Sequence, residues 1–464
     1  MDVNPKDRPY PADTLGMDSS EMRRLGYAVV DAVVQRLENK HCEPAIAAKD
    51  PGPLLELLGG ALPEDAQPAE ASLELLIDSA LFYQQHGDHP RYFARVPGPS
   101  SFAAIIGEWL GVGFNSIAAS WPGGAGPSAV ELVVIDWLRQ LMDLPEDTEG
   151  VLVSGGSQAS LTAIAAVRAL KGQGCVYLSD QTHASLVRAL STLGFTQQQI
   201  RILESDPQHR MSAQSVQEAI TVDQGRGLKP MMVIATAGST NTGAIDPINE
   251  LADICLEHKI WLHIDGAYGA PAALTDSGKR CLDGIQRADS LVLDPHKWLF
   301  QPYDVGCLLI RPGVLENCFN MNPEYLKDVQ GNESATDFRN RGFELTRRSR
   351  ALKLWFSLRS YGVAKFRKAI DYSIELTEFA EAYLRESPQR WEIISPAQIG
   401  IICFALRGAS PEEHERRAQA LSESGFACVT TTKLKGRTAL RLCIINPLTT
   451  QADITETIDR LGCE

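Results

Sequence analysis

Positive charge and long apolar runs are both scarce in this chain of 464 residues. The formal net charge of -14 argues against general binding to nucleic-acid phosphates, which needs positive clusters. The longest apolar stretch, residues 103–121, is interrupted by Glu108 and several glycines, so we expect no membrane span. The N-terminus is polar and lacks the apolar segment of a signal peptide. We therefore expect neither nucleic acid nor membrane among the partners.

Paired cysteine motifs and metal-binding motifs are also missing. The ten cysteines include no C-x-x-C pair, which in a chain of this size favours reduced thiols in the cytoplasm over a disulfide framework. The nine histidines show no H-E-x-x-H or paired His/Cys spacing, so we predict no bound metal. Internal repeats and long low-complexity tracts are absent as well.

The hydrophobic pattern predicts three regions. Residues 1–98 have helical spacing interrupted by turns, including one helix through about residue 39 and another over 69–85. Residues 99–358 alternate short apolar strands with helices, which predicts a mainly parallel sheet in a large α/β domain. A polar loop lies near 320–342. Residues 359–464, after a helical stretch over 351–385, are typical of a small α+β domain.

The most informative segment is Asp294-Pro295-His296-Lys297, which directly follows the apolar run 290–293. A lysine between apolar neighbours at the end of a buried strand is poorly solvated. Burial disfavours its ammonium form, and a free amine can form a Schiff base with an aldehyde. An ordinary surface lysine on a loop is the alternative.

Three other predicted strands also end in polar residues, where ligands of open parallel sheets bind. Gly155, Gly156 and Ser157 follow a strand and open a helix, as in a phosphate cup, although an ordinary turn fits too. His183 can stack on an aromatic ligand or be a plain loop histidine. Asp265 can pair with a pyridinium nitrogen or cap the next helix. Together with Lys297, these groups form the set that holds pyridoxal phosphate.

With these motifs the chain resembles the pyridoxal-phosphate-dependent group II amino-acid decarboxylases. The most specific segment is residues 295–299. Residues 180–183, 261–268 and 352–356 are most similar to the aromatic-L-amino-acid branch. The resemblance implies an α/β protein of pyridoxal-phosphate fold type I (aspartate aminotransferase-like). It also implies a homodimer clasped by the N-terminal helices, and decarboxylation of an L-amino acid, expected to be aromatic, to the primary amine and CO2.

The resemblance also assigns roles to residues. The implied catalytic residues are Lys297 as the Schiff-base lysine, Asp265 as the ring-nitrogen partner, His183 as the stacking residue and Tyr325 as the proton donor on a mobile loop. The implied cofactor contacts are Gly156, Ser157, His183, Thr240, Asp265, Ala267, Asp294, His296 and Lys297. The implied substrate contacts are Tyr92, Phe93, Arg95 and Thr346.

Three departures from the family pattern bear on these assignments. Asp294 replaces an asparagine of the animal enzymes, and a carboxylate there would repel a phosphate unless it turns away or bonds to backbone. Thr346 stands where a glycine or serine is common, which narrows the substrate pocket. Arg95 replaces a small polar residue. Its guanidinium group could bind an acidic substrate, or the residue could lie at an interface or on the surface.

Other functions stay open at this point. The same cofactor supports an aldehyde synthase, a carbon–carbon lyase or an aminotransferase, and the substrate could be a small or acidic amino acid. Relatives with phenylalanine at the Tyr325 position tend to release aldehydes, so tyrosine favours simple decarboxylation. A non-catalytic regulator that retains the cofactor is the remaining alternative, and the intact set of Lys297, Asp265, His183 and Tyr325 argues against it.

Overall fold

The N-terminal part of the chain is helical in the computed structural model, which describes residues 15–96, 98–321, 323–325, 331–332 and 335–463. Helix α1 (Ser19–Asn39) begins after Asp18, whose carboxylate accepts the backbone N–H groups of Ser20 and Glu21 and so caps the helix as predicted. Of the helix predicted over 69–85, only the part up to Leu75 is α-helical, and a π-helical turn follows it as far as Leu81. The helices of this part are α1, α2 (Pro51–Leu58), α3 (Ala69–Leu75), α4 (Phe102–Gly113) and α5 (Trp121–Leu141).

A seven-stranded sheet forms the centre of the large domain, in the spatial order β1-β7-β6-β5-β4-β2-β3. β7 runs antiparallel to both of its neighbours, and the other pairs are parallel. All residues of β2, β5, β6 and β7 are buried, as expected for strands covered on both faces. The strands are β1 (Glu149–Val153), β2 (Cys175–Ser179), β3 (Ile200–Leu203), β4 (Pro230–Thr236), β5 (Trp261–Asp265), β6 (Ser290–Leu293) and β7 (Gly306–Ile310).

Helices connect these strands and place their first turns beside the strand ends. The connecting helices are α6 (Gly156–Lys171), α7 (Ala184–Thr192), α8 (Ala213–Gly225), α9 (Ile248–His258), α10 (Asp276–Cys281) and α11 (Val314–Phe319). The mainly parallel sheet predicted from the sequence is confirmed. The edge strand β3 was not predicted, because it has only four residues and Arg201 interrupts its apolar run; none of the four is buried.

A second, four-stranded antiparallel sheet with the order β10-β11-β9-β8 lies near the C-terminus and has its own apolar core. The helical stretch predicted over 351–385 is two helices, because Gly362 has a φ of 70° that a continuing helix cannot contain. The elements of this region are α12 (Ala351–Tyr361), α13 (Val363–Arg385), β8 (Trp391–Gln398), β9 (Ile401–Leu406), α14 (Pro411–Glu423), β10 (Thr430–Leu434), β11 (Arg437–Cys443) and α15 (Gln451–Gly462).

Among the described residues, no helix combines the length and the apolar character that crossing a bilayer would require.

Candidate active site

The carboxyl ends of the central strands surround a cavity of about 460 Å3. Parallel strands end at the same edge of a sheet, so residues far apart in the chain meet there. The cavity is lined by Ser154, Gly155, Gly156, Ser157, Gln158, His183, Ser185, Thr236, Gly238, Thr240, Asp265, Ala267, Tyr268, Asp294, His296, Lys297 and Tyr303.

One wall of the cavity is the start of α6. The N-cap residue Gly155 has no side chain, so no side-chain cap occupies the first N–H groups of this 16-residue helix. A Cβ atom on Gly156 would lie 3.0 Å from Oδ2 of Asp294 and 3.1 Å from Cβ of Ala267, so glycine keeps this corner open. Ser157 is exposed and adds a hydroxyl. Free N–H groups and the partial positive charge of the helix end suit a phosphate here.

Asp265 ends β5 and is only 8% exposed. Its Oδ1 atom accepts the backbone N–H of Ala267 at 3.2 Å. In the register of the sheet it lies opposite Thr236 at the end of β4. Thr236 has a buried Oγ1 without a hydrogen-bond partner in the described structure. A buried carboxylate and an unpaired hydroxyl indicate that a polar group of a ligand belongs between these side chains.

His183 is the N-cap of α7 and is exposed towards the cavity. Its Nδ1 atom accepts the backbone N–H of Ser185 at 3.3 Å and lies 2.7 Å from the Ser185 hydroxyl. These contacts hold Nδ1 as an acceptor, so Nε2 carries the proton of the neutral ring. The imidazole is thus anchored at one edge, and its face is free for an aromatic ligand.

Lys297 forms an ion pair that was not predicted from the sequence. Its Nζ atom lies 3.0 Å from Oδ2 of Asp294, and the lysine side chain is 24% exposed. The lysine is thus only partly exposed, as expected for a poorly solvated side chain, but a carboxylate three residues earlier also faces the amine. The expectation that Asp294 turns away or bonds to backbone is corrected: Oδ2 contacts the lysine, and Oδ1 is buried without a hydrogen-bond partner in the described structure.

His296 supports this pair from the side. Its Nδ1 atom lies 2.6 Å from the carbonyl oxygen of Val305, and its Nε2 atom lies 3.7 Å from Oδ2 of Asp294. Burial is the main cause that lowers the pKa of His296, so the ring is neutral at physiological pH. A neutral ring with Nδ1–H donated to Val305 presents a bare Nε2 atom to the cavity.

Four predicted substrate contacts do not line this cavity. Tyr92 is 3% exposed, donates its hydroxyl to Gln85 at 2.7 Å and belongs to a small buried cluster. Phe93 is fully buried in the core of the small domain. Both side chains are buried in apolar clusters, and their role as substrate contacts stays a prediction. Arg95 and Thr346 are exposed and do not line the cavity, although the charge of Arg95 acts on the lining residue Tyr303.

Tyr325 also lies away from the cavity and is 75% exposed. Residues 322, 326–330 and 333–334 of the predicted catalytic loop near 320–342 lie outside the described residues, so the role of this loop stays a prediction.

Several lining residues were not predicted from the sequence. Thr236 carries a usable signal, since it is a polar residue at the end of an apolar strand. Ser154 and Gln158 hold each other by a hydrogen bond of 2.6 Å at the start of α6. Tyr303 had no signal, because only the path of the loop before β7 brings it to the cavity.

The lining residues fit pyridoxal phosphate. An uncapped helix end suits its phosphate, a buried carboxylate suits its ring nitrogen, and Lys297 suits its aldehyde. The fold and this set of groups define a pyridoxal-phosphate-dependent enzyme.

Comparison with known proteins identifies the family. The family model described as the pyridoxal-dependent decarboxylase conserved domain matches residues 51–407. An aromatic-L-amino-acid decarboxylase from Bacillus atrophaeus is 42% identical over 459 residues, covering 96% of this chain and 95% of the relative. A phenylacetaldehyde synthase from Petunia hybrida is 31% identical, covering 96% and 95%. The chain belongs to the pyridoxal-dependent decarboxylase family.

A solved structure of Oryza sativa TDC with PLP and tryptamine has a TM-score of 0.91 at 28% identity, covering 97% of this chain and 98% of that one. The predicted fold type I, the cofactor and the decarboxylase class are thereby confirmed.

Proposed function

We propose that this enzyme removes the α-carboxylate of an aromatic L-amino acid and releases CO2 and the primary amine. The observation that carries the proposal is the approach of Lys297, Asp294 and Asp265 to one cavity beside the open start of α6. The names of its relatives support the aromatic substrate class, since both an aromatic-L-amino-acid decarboxylase and tryptophan decarboxylases are similar over nearly the whole chain.

We also propose roles for individual residues, which their positions support. Bound pyridoxal phosphate supplies a protonated ring that accepts the electrons of the breaking carbon–carboxylate bond. Lys297 would hold the aldehyde of the cofactor, and Asp265 would pair with its ring nitrogen. The first N–H groups of α6, with Gly156 and Ser157, would hold the phosphate, while Ala267 and Thr240 would contact the cofactor. His183 would lie against the ring.

Tyr325 is proposed to deliver the proton to Cα, directly or through His183. Tyr325 is exposed and does not line the cavity, so this role requires its side chain to change position. Tyrosine at this position favours amine over aldehyde. The similarity to a phenylacetaldehyde synthase makes the aldehyde-forming reaction the second candidate.

Product analysis separates the two candidates. The holoenzyme is incubated with each of the twenty amino acids and with dihydroxyphenylalanine, and CO2, amine, ammonia and aldehyde are measured. Amine and CO2 in equal amounts, with an aromatic substrate preferred, are expected. Equal release of ammonia and aldehyde would contradict simple decarboxylation. Borohydride reduction followed by peptide mass mapping is expected to place the cofactor on Lys297, and a label elsewhere would refute the assignment.

The proposal includes a homodimer. None of the residues of α1 is buried, and the exposed side chains of this helix include the apolar Met22 and the aromatic Tyr27. Leu55 on α2 and Leu110 on α4 are 70% and 50% exposed. Exposed apolar side chains on three helices of the N-terminal part are typical of surfaces covered by a second copy. Light scattering after size-exclusion chromatography is expected to give twice the chain mass of 50.7 kDa, and a stable monomer would refute the dimer.

A cytoplasmic location is also proposed. All ten cysteines are free thiols, which suits a reducing compartment. Fractionation of the producing cells tests it, and recovery of the enzyme outside the cytoplasmic fraction would contradict it.

A further inference from the structure

Lys353 is a buried lysine that the proposed reaction does not use. It lies on α12 within the motif of residues 352–356 and is 1% exposed. Its Nζ atom lies 2.9 Å from the carbonyl oxygen of Pro302, 3.0 Å from that of Asp304 and 3.1 Å from Oε2 of Glu108. Burial lowers the pKa of Lys353 from 10.5 to about 7, and the three acceptors match the three N–H donors of its ammonium form.

Glu108 is the charged residue of the otherwise apolar helix α4. The two helices approach closely here, since a Cβ atom on Gly107 would lie 2.6 Å from Cα of Lys353. This contact brings the Glu108 carboxylate, which also pairs with Arg348, to the ammonium. A buried charge without a partner costs several kcal/mol, so the carboxylate is what makes a lysine tolerable at this depth.

The two carbonyl groups belong to the loop that joins Lys297 to β7, and they lie on either side of Tyr303. Tyr303 lines the cofactor cavity, and its ring centre is 4.9 Å from that of His296. Val305 lies two residues after Tyr303, and its carbonyl oxygen accepts the hydrogen bond that His296 donates from Nδ1. The loop therefore carries both groups that hold the His296 ring beside Asp294.

We propose that Lys353 is a positioning residue of the active site. Its ammonium group ties the carbonyl groups of Pro302 and Asp304 to α4 and α12, and the loop so fixed holds His296 against the Asp294–Lys297 pair. Lys353 touches neither cofactor nor substrate and acts through the loop. The inference rests on the proposed role of Lys297 and Asp294, and it assigns a purpose to an otherwise unexplained buried charge.

The test is a double-mutant cycle between Lys353→Met and His296→Asn. Methionine keeps the length of the side chain but donates no hydrogen bond, so Pro302 and Asp304 lose their donor. We expect Lys353→Met to raise the dissociation constant for pyridoxal phosphate at least fivefold, measured by quenching of tryptophan fluorescence. The pH midpoint of the visible band of the bound cofactor is expected to shift. Lys368→Met, which changes an exposed lysine on α13, is the matched control and is expected to alter neither quantity.

The cycle separates positioning from general stabilisation of the fold. If Lys353 acts through His296, Lys353→Met has less than a twofold effect on the dissociation constant when His296→Asn is already present. Equal fold-changes in both backgrounds would overturn the proposal, whatever happens to the melting temperature of the apoprotein.

Glu108→Gln provides a second variant in case Lys353→Met does not fold. It keeps the ammonium and its two carbonyl bonds but removes the pairing charge, and we expect at least a threefold weaker binding of the cofactor. An unchanged constant in this variant would overturn the proposal. Borohydride labelling is run on the same preparations. An unlabelled Lys297 in the parent protein contradicts the proposed function, whereas a labelled parent with unchanged variants contradicts the role of Lys353 alone.

Discussion

His263 makes the strand that carries Asp265 sensitive to acid. It is completely buried on β5, its Nδ1 atom lies 2.8 Å from the hydroxyl of Ser290, and its Nε2 atom has no hydrogen-bond partner in the described structure. Trp261 also donates to the Ser290 hydroxyl at 2.8 Å. Burial lowers the pKa of His263 from 6.5 to about 4, so the ring is neutral at physiological pH.

The sign and size of the effect follow from proton linkage. A histidine with a lowered pKa in the fold contributes stability that is fully present above pH 6.5 and is lost as the pH falls towards 4. At pH 5 the unfolded chain holds nearly one more proton on this residue than the folded chain. Integrated from pH 7, this difference removes about 2 kcal/mol from the free energy of unfolding.

His263→Asn isolates this contribution. Asparagine places a polar atom close to the position of Nδ1 and does not titrate, whereas the cost of the lost ring atoms is the same at every pH. Urea unfolding of the apoprotein at pH 7 and pH 5, followed by tryptophan fluorescence, gives the two free energies. We expect the parent to lose about 2 kcal/mol relative to the variant over this interval.

The exposed His41 provides the control, because His41→Asn should leave the pH dependence unchanged. Burial also lowers the pKa of His89 to about 4, but this residue is present in both proteins and cancels in the comparison. Parallel pH profiles for the parent and His263→Asn would refute the reasoning.

Three further predictions concern the active site. Asp265→Ala is expected to lower amine formation at least a hundredfold, because the ring nitrogen loses its counter-charge; a near-parental rate would refute that role. Tyr325→Phe should lower the amine yield and raise aldehyde, and an unchanged product ratio by chromatography would remove its role as proton donor. Gly156→Ala should weaken cofactor binding at least threefold without lowering the apoprotein melting temperature, because its Cβ would enter the proposed phosphate site. Gly26→Ala is the control, because a Cβ atom on Gly26 would have no other atom within 4 Å. Unchanged cofactor binding in Gly156→Ala would contradict the proposed phosphate site.

The sequence predicted most of the features that depend on local pattern. Short apolar runs predicted strands at 150–153, 175–178, 231–235, 260–264, 290–293 and 304–310. Each lies within two residues of an observed strand of the large sheet, and only β3 was missed. Asp265 is the last residue of β5 and Lys297 follows the end of β6 by four residues, and parallel strands bring their carboxyl ends together. The cavity could therefore be predicted without knowing the order of the strands.

Other features depend on contacts between distant segments. Lys353 lies about fifty residues from the carbonyl groups it binds and much farther from Glu108, and no local spacing joins them. Tyr92 and Phe93 sit in a motif that resembles the family's substrate region, yet they pack into buried clusters.

Periodicity fixed the strands and the chemistry at their ends, since a residue's own neighbours decide whether it can be buried there. Which side chains meet across helices and loops was decided only by tertiary packing, because a buried charge can be tolerated wherever the fold brings it a partner.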